Sequence, residues 1–174
     1  MITKEIDNFL TEEEFSFLCE GIYYFEFPWF RSLKVQLDME PTSRLQHQLT
    51  HMFADRSWDN PEQLFFSDYF AIVKPFVDKF MKETKAKKVI RVKLNLGYSS
   101  GIQEEGGWHT DFDDKKNKIA IFYINTNNGY TLLEDGTKIA SEKNKLALFD
   151  NVSHTEVTCT DTEERVVLNI GYRL

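Results

Sequence analysis

The spacing of hydrophobic residues changes near residue 87. Upstream of it the pattern is helical. Thr11-Glu12-Glu13-Glu14 has the hydroxyl and the carboxylate of a capping box three positions apart, and Phe15, Leu18, Ile22 and Tyr23 follow at helical spacing. A second helix is expected from about Thr42 to Met52, with Leu45, Leu49 and Met52 on one face. A third follows Ser67-Asp68, where Tyr69, Val73, Phe76, Val77, Phe80 and Met81 recur at i, i+3 and i+4. Pro75 lies inside this run and predicts a kink or a late start, because it has no N–H to donate. Residues 1–87 thus read as a helical support region.

Downstream the period becomes two and β-branched residues multiply. Val89–Tyr98, Lys118–Asn125, Gly129–Glu134, Thr137–Ala140, Lys145–Asp150, Thr155–Thr158 and Arg165–Tyr172 read as strands. Asn127-Asn128-Gly129 and Asp135-Gly136 are hairpin-type turns, since Asn and Gly tolerate positive φ. Many short strands must bury a face against a second sheet, which predicts a sandwich or barrel with the helices covering one sheet from outside. The class is α+β, mainly β. In the last strand Val166, Leu168 and Ile170 share the covered face, so Arg165, Val167 and Asn169 point inward. An inward Arg needs partners, because a buried unpaired charge costs several kcal/mol. Asn95 is a further inward candidate.

Composition narrows the picture. At 174 residues one domain is expected, 41% hydrophobic and 14% aromatic, which is too apolar for a disordered chain. No run approaches the roughly 18 consecutive apolar residues of a membrane span, and the start MITKEIDNFL has no leader pattern. Two cysteines, Cys19 and Cys159, exclude a disulfide scaffold and fit a reducing cytoplasm. With 21 Lys+Arg against 28 Asp+Glu, the net charge of −7 argues against a phosphate-backbone partner such as nucleic acid.

The chemistry concentrates on histidine. His47 and His51 stand at i, i+4 on the expected second helix, but Gln48 occupies the place of a zinc peptidase's glutamate, so that motif fails. His109-Thr110-Asp111 places an imidazole and a carboxylate two apart, on one side of an extended segment. Alone the pair is weak. It gains weight from His154 at the start of a later strand, because two imidazoles and one carboxylate form the facial triad of non-heme iron sites. Arg165 then supplies a forked, permanent cation, and Ile119, Ile121 and Tyr123 share one strand face that ends in a hydroxyl. Trp108 reads first as packing, Asp113 and Asp114 as solvated acids.

These blocks, in this order, resemble the Fe(II)/2-oxoglutarate-dependent dioxygenases, in particular the prolyl 4-hydroxylase-like branch. The matching text is Tyr98, His109-Thr110-Asp111, Phe122-Tyr123-Ile124-Asn125 and Asn128-Gly129-Tyr130-Thr131. Leu146-Ala147-Leu148-Phe149, His154-Thr155-Glu156-Val157 and Arg165 complete it. The resemblance implies a double-stranded β-helix (jelly-roll) catalytic core over residues 88–174, with His109, Asp111 and His154 holding Fe(II). It implies that Arg165 pairs with the C5 carboxylate of the cosubstrate 2-oxoglutarate, that Tyr123 donates to that group, and that O2 is consumed. Tyr98, Ile121, Thr131 and Val167 are expected to line the cosubstrate pocket. Many members carry Ser or Thr where this chain has Val167, and some prolyl hydroxylases carry Lys where it has Arg165. The implied activity is hydroxylation of a C–H bond on a prolyl or other protein side chain, or on a small molecule. An AlkB-like nucleic-acid dealkylase and a non-catalytic jelly-roll binding module are the alternatives. The loop Ser99–Gly106, with Gly101, Gly106 and Gly107 as hinges, is the expected substrate entrance.

Overall fold

The computed structural model describes residues 2–32, 48–56, 63–99 and 101–174. In chain order the elements are β1 (Ile2–Ile6), α1 (Glu12–Ile22), β2 (Phe30–Ser32), β3 (Gln48–Arg56), β4 (Leu64–Phe66) and α2 (Phe70–Thr84). They continue with β5 (Lys88–Tyr98), β6 (Lys118–Tyr123), β7 (Tyr130–Leu133), β8 (Lys138–Ala140), β9 (Leu146–Asp150), β10 (His154–Val157) and β11 (Glu164–Arg173). One large sheet runs β1-β9-β6-β11-β5-β3-β2, with β4 paired to β3, and a smaller sheet runs β10-β7-β8. The segment before His109 lies along the free edge of β10, where Gly106 N–H donates to Glu156 O at 2.8 Å and Thr158 N–H to Glu104 O at 3.0 Å. Two antiparallel sheets facing one another in this order make the double-stranded β-helix that the sequence predicts.

Alternation gives the large sheet two apolar faces. Val92, Leu94 and Leu96 of β5 and Val166, Leu168 and Ile170 of β11 turn outward, onto Phe15, Leu18 and Ile22 of α1 and Val73, Phe76 and Phe80 of α2. Ile119, Ile121, Tyr123 and Val167 turn inward, onto Leu133, Ile139, Ala147 and Phe149. The outer layer anchors the helices; the inner one floors the site.

Both helices at residues 11–22 and 69–84 form where the spacing places them. Thr11 Oγ1 accepts from Glu14 N–H at 3.2 Å, and Glu14 Oε2 accepts from Thr11 N–H at 2.8 Å, completing the capping box. α2 begins at Phe70 and runs through Pro75, so the proline does not delay its start.

The second expected helix is a misreading. Residues 42–47, His47 among them, lie outside the described residues, and Gln48–Met52 belong to strand β3, between β2 and β5. The cause is a bulge between Met52 and Ala54. It leaves Gln48, His51, Phe53 and Ala54 buried in a spacing that is not two. The region before residue 87 is therefore not purely helical: β1 to β4 extend both edges of the large sheet. His51 is wholly engaged there, with Nδ1 2.8 Å from Pro28 O, Nε2 3.0 Å from Ser67 Oγ, and its ring against Phe27 and Phe53. Burial lowers its pKa.

Candidate metal centre

His109 and His154 face each other across neighbouring strands, and each backbone N–H donates to the other's carbonyl, at 3.0 and 2.9 Å. This holds the imidazole centroids 4.7 Å apart. His109 Nδ1 lies 2.9 Å from Gly107 O, and His154 Nδ1 2.9 Å from Val152 O. A carbonyl only accepts, so each Nδ1 carries the proton and each Nε2 keeps its lone pair. Asp111 completes the group: Oδ2 is 3.6 Å from His154 Nε2, and ligand atoms of all three residues lie within 4.8 Å of one another. Burial lowers the pKa of His154, favouring the neutral form that coordinates. At Asp111 burial pushes the carboxyl up, but the Arg91 guanidinium beside it works the other way, and the carboxyl is held near 2.

Arg91, on β5, donates to Asp111 Oδ1, and Asn169 Nδ2, on β11, donates to Asp111 Oδ2 at 3.3 Å. One carboxylate oxygen is thus taken by the guanidinium while the other faces the imidazoles. Two imidazoles with Nε2 free of protein hydrogen bonds to carbonyls and one ionised carboxylate converge on one point from one side. This donor set fits Fe(II).

Arg165 points inward, as the parity of β11 requires, and is 6% exposed. Its Nε donates to Ser141 Oγ at 2.9 Å and one terminal nitrogen to Thr131 Oγ1 at 3.0 Å, while the guanidinium sits over the Tyr123 ring at 5.5 Å. Glu156 is the nearest acid, 3.8 Å from the other terminal nitrogen and beyond hydrogen-bond range. A buried cation fixed by hydroxyls, with Glu156 near it but not hydrogen-bonded to it, fits the distal carboxylate of a dicarboxylic acid.

The metal group and Arg165 line one cavity of about 540 Å³, together with Ile121, Thr131 and Val167. Tyr123 stands behind this lining: it is fully buried, and its hydroxyl meets Thr131 Oγ1 at 2.9 Å. Tyr98 is not brought to the cavity. From Arg91 onward the odd-numbered residues of β5 face inward, and Tyr98 is 57% exposed at the strand's end. Asp113 lines the cavity, whereas Asp114 pairs with Arg173 and Trp108 is 41% exposed. The expected entrance loop is partly wall, because Glu104 to Gly106 are hydrogen-bonded to the strand edge at β10. Sequence reasoning missed Arg91, Lys93 and Gln48 on the inner face, and Ser141 and Glu156 beside Arg165. The alternation of Arg91, Lys93 and Asn95 with Val92 and Leu94 was the available signal for the first two.

The sequence matches no protein-family model and no curated protein. Solved structures do match. A 2OG-Fe(II) oxygenase family oxidoreductase from Burkholderia pseudomallei superposes with a TM-score of 0.69 at 11% identity, over 96% of this chain and 82% of that one. A prolyl hydroxylase from Trichoplax adhaerens, in complex with a hypoxia inducible factor oxygen degradation domain peptide fragment, gives 0.65 at 12%, over 98% and 82%. The viral collagen prolyl hydroxylase of Paramecium Bursaria Chlorella virus-1 gives 0.58 at 16%, over 98% and 96%. The chain carries the fold of the Fe(II)/2-oxoglutarate oxygenase superfamily, in the form found in its prolyl hydroxylase-like members.

Proposed function

We propose that this protein is an Fe(II)- and 2-oxoglutarate-dependent oxygenase that hydroxylates a C–H bond of a peptide or small-molecule substrate, a prolyl side chain being the first candidate. The observation that carries the reading is the convergence of His109, Asp111 and His154 in the same cavity as a buried Arg165 whose donors are met by hydroxyls, with the Glu156 carboxylate 3.8 Å away. When bound, Fe(II), 2-oxoglutarate and O2 supply the oxidation: one oxygen atom enters the substrate, and 2-oxoglutarate leaves as succinate and CO2. The two imidazoles and Asp111 would hold the metal, and the cavity beside them would admit cosubstrate and substrate. Arg165, braced by Thr131 and Ser141, holds the distal carboxylate, and Ile121 and Val167 keep the cavity wall apolar. A peptide substrate is in keeping with the Trichoplax enzyme's bound peptide. The free thiols of Cys19 and Cys159 accord with the proposed reducing cytoplasm. Among the described residues no helix is long and apolar enough to cross a membrane.

Succinate formation from 2-oxoglutarate tests the proposal. The wild-type protein loaded with Fe(II) is expected to form it, Asp111→Ala to abolish it, and Arg165→Ala to raise the 2-oxoglutarate requirement steeply. Equal turnover in Asp111→Ala protein rejects the scheme.

A further inference from the structure

The cosubstrate contacts proposed for Arg165 leave the β5 wall of the cavity unused. Alternation turns Arg91, Lys93 and Asn95 inward, and all three line the cavity. Among the described residues two of them carry unmatched polar atoms: Arg91 Nε and Asn95 Oδ1 are buried without a hydrogen-bond partner there. Such an atom has lost its water without a replacement partner unless something entering the cavity completes it. Lys93, between them, is half-buried. Burial and the neighbouring Arg91 both disfavour its ammonium, and the acids it senses are engaged elsewhere. Asp111 is held by Arg91, Glu156 lies against Arg165, and Asp55 Oδ1 accepts from Arg56 N–H.

The row thus presents a cation with an acceptor two residues along the strand, about 6.6 Å away. An anion at Lys93 returns the cost of burying the ammonium, which a neutral group does not. A single negative charge suits the place better than a phosphate, since Asp111, Asp113 and Glu156 line the same cavity and oppose a double charge. Asn95 Oδ1 then calls for an N–H on the same molecule. We propose that Lys93 and Asn95 form a substrate subsite for a carboxylate carried near an amide or amine N–H, as in an acidic residue of a peptide or a free N-acyl amino acid. This rests on the oxygenase reading, because it names that enzyme's substrate class.

Calorimetric titration of the metal-free full chain tests it without turnover. The probes are the capped peptide acetyl-Ala-Glu-Ala-amide, its Gln counterpart and N-acetylalanine, which carries a single carboxylate beside its amide N–H, with thermal melts confirming that each variant is folded. One of the acidic probes is expected to bind at least tenfold tighter than the Gln peptide, and the tighter of the two shows whether the acid is peptide-borne or free. Lys93→Gln is expected to weaken that binding about tenfold or more, the scale of a charged hydrogen bond, while Lys93→Arg retains it and Arg165→Ala leaves it unchanged. No binding of either acid overturns the proposal, as does binding indifferent to Lys93→Gln. Binding lost in Arg165→Ala but kept in Lys93→Gln also overturns it, by placing the acid at Arg165, and leaves the oxygenase reading standing. Carboxylate binding that depends on Lys93 in a protein that forms no succinate faults the oxygenase reading alone.

Discussion

Burying a guanidinium costs several kcal/mol unless its donors are met, and at Arg165 they are met by the hydroxyls of Ser141 and Thr131 rather than by an acid. The charge is thereby held in place and kept available. Gly129 makes the room: a Cβ there would lie 2.8 Å from Val157 O and 3.0 Å from Arg165 Cδ. Gly129→Ala must therefore shift against the Val157 carbonyl and Asn127 Oδ1, 2.9 Å away, and crowd the Arg165 stem by a few tenths of an ångström. The apparent affinity for 2-oxoglutarate is expected to fall about tenfold, less than the roughly hundredfold that a full ångström of misplacement can cost. Zn(II) affinity, set by the triad, should stay within about twofold of wild type. Titrating 2-oxoglutarate in the succinate assay and Zn(II) against a chelating dye reads both. Arg165 could be oriented from sequence because Val166, Leu168 and Ile170 fix the parity of its strand. The same argument applied to Val92, Leu94 and Leu96 turns Tyr98 away from the cavity; its motif position pointed the other way, and the parity decides.

At the scale of elements, the strands after residue 87 were legible nearly to their ends because alternation and Asn/Gly turns are local signals. The edge strands were not. β2 and β4 are three residues each, too short to show a period, and β3 hides its alternation behind a bulge. His51, in β3, gives a measurable consequence of that strand. It is 3% exposed, and burial lowers its pKa from 6.5, so the native state favours the neutral ring. The unfolded chain takes up the proton first as pH falls through 6.5. Stability is therefore fully present above that pH and declines below it, until the folded-state pKa is passed. One such group contributes a slope of at most about 1.4 kcal/mol per pH unit. His51→Asn is expected to be less stable at pH 7.5 but to lose stability less steeply between pH 6.5 and 5, by up to that amount. Urea unfolding of both proteins across this range checks it; parallel curves would mean that His51 takes up its proton as readily in the native state as in the unfolded chain.

Across the whole molecule the large sheet separates two tasks, an outer apolar layer that seats α1 and α2 and an inner face that carries the chemistry. The metal centre bridges the two sheets. His109 and His154 belong to the strand pair at the edge of the small sheet, while Asp111 is tied to the large sheet by Arg91 on β5 and Asn169 on β11. An ion held by all three must link the sheets, and because the unfolded chain has no assembled site, its binding adds to folding stability. At a hundredfold excess over the dissociation constant the gain is about 2.7 kcal/mol. For a chain of this size that corresponds to a Tm increase of about 5–10 °C. Zn(II) or Mn(II), which bind such ligands without redox chemistry, are expected to produce this shift in the wild-type protein. His154→Ala should lose most of it, whatever its starting Tm. His51→Asn should keep it, because His51 is spent on Pro28 and Ser67 on the other side of the sheet. Comparing shifts rather than absolute melting points removes the cost of the substitutions themselves. A shift that survives in His154→Ala and vanishes in His51→Asn would move the ion to β3 and detach the triad from metal binding.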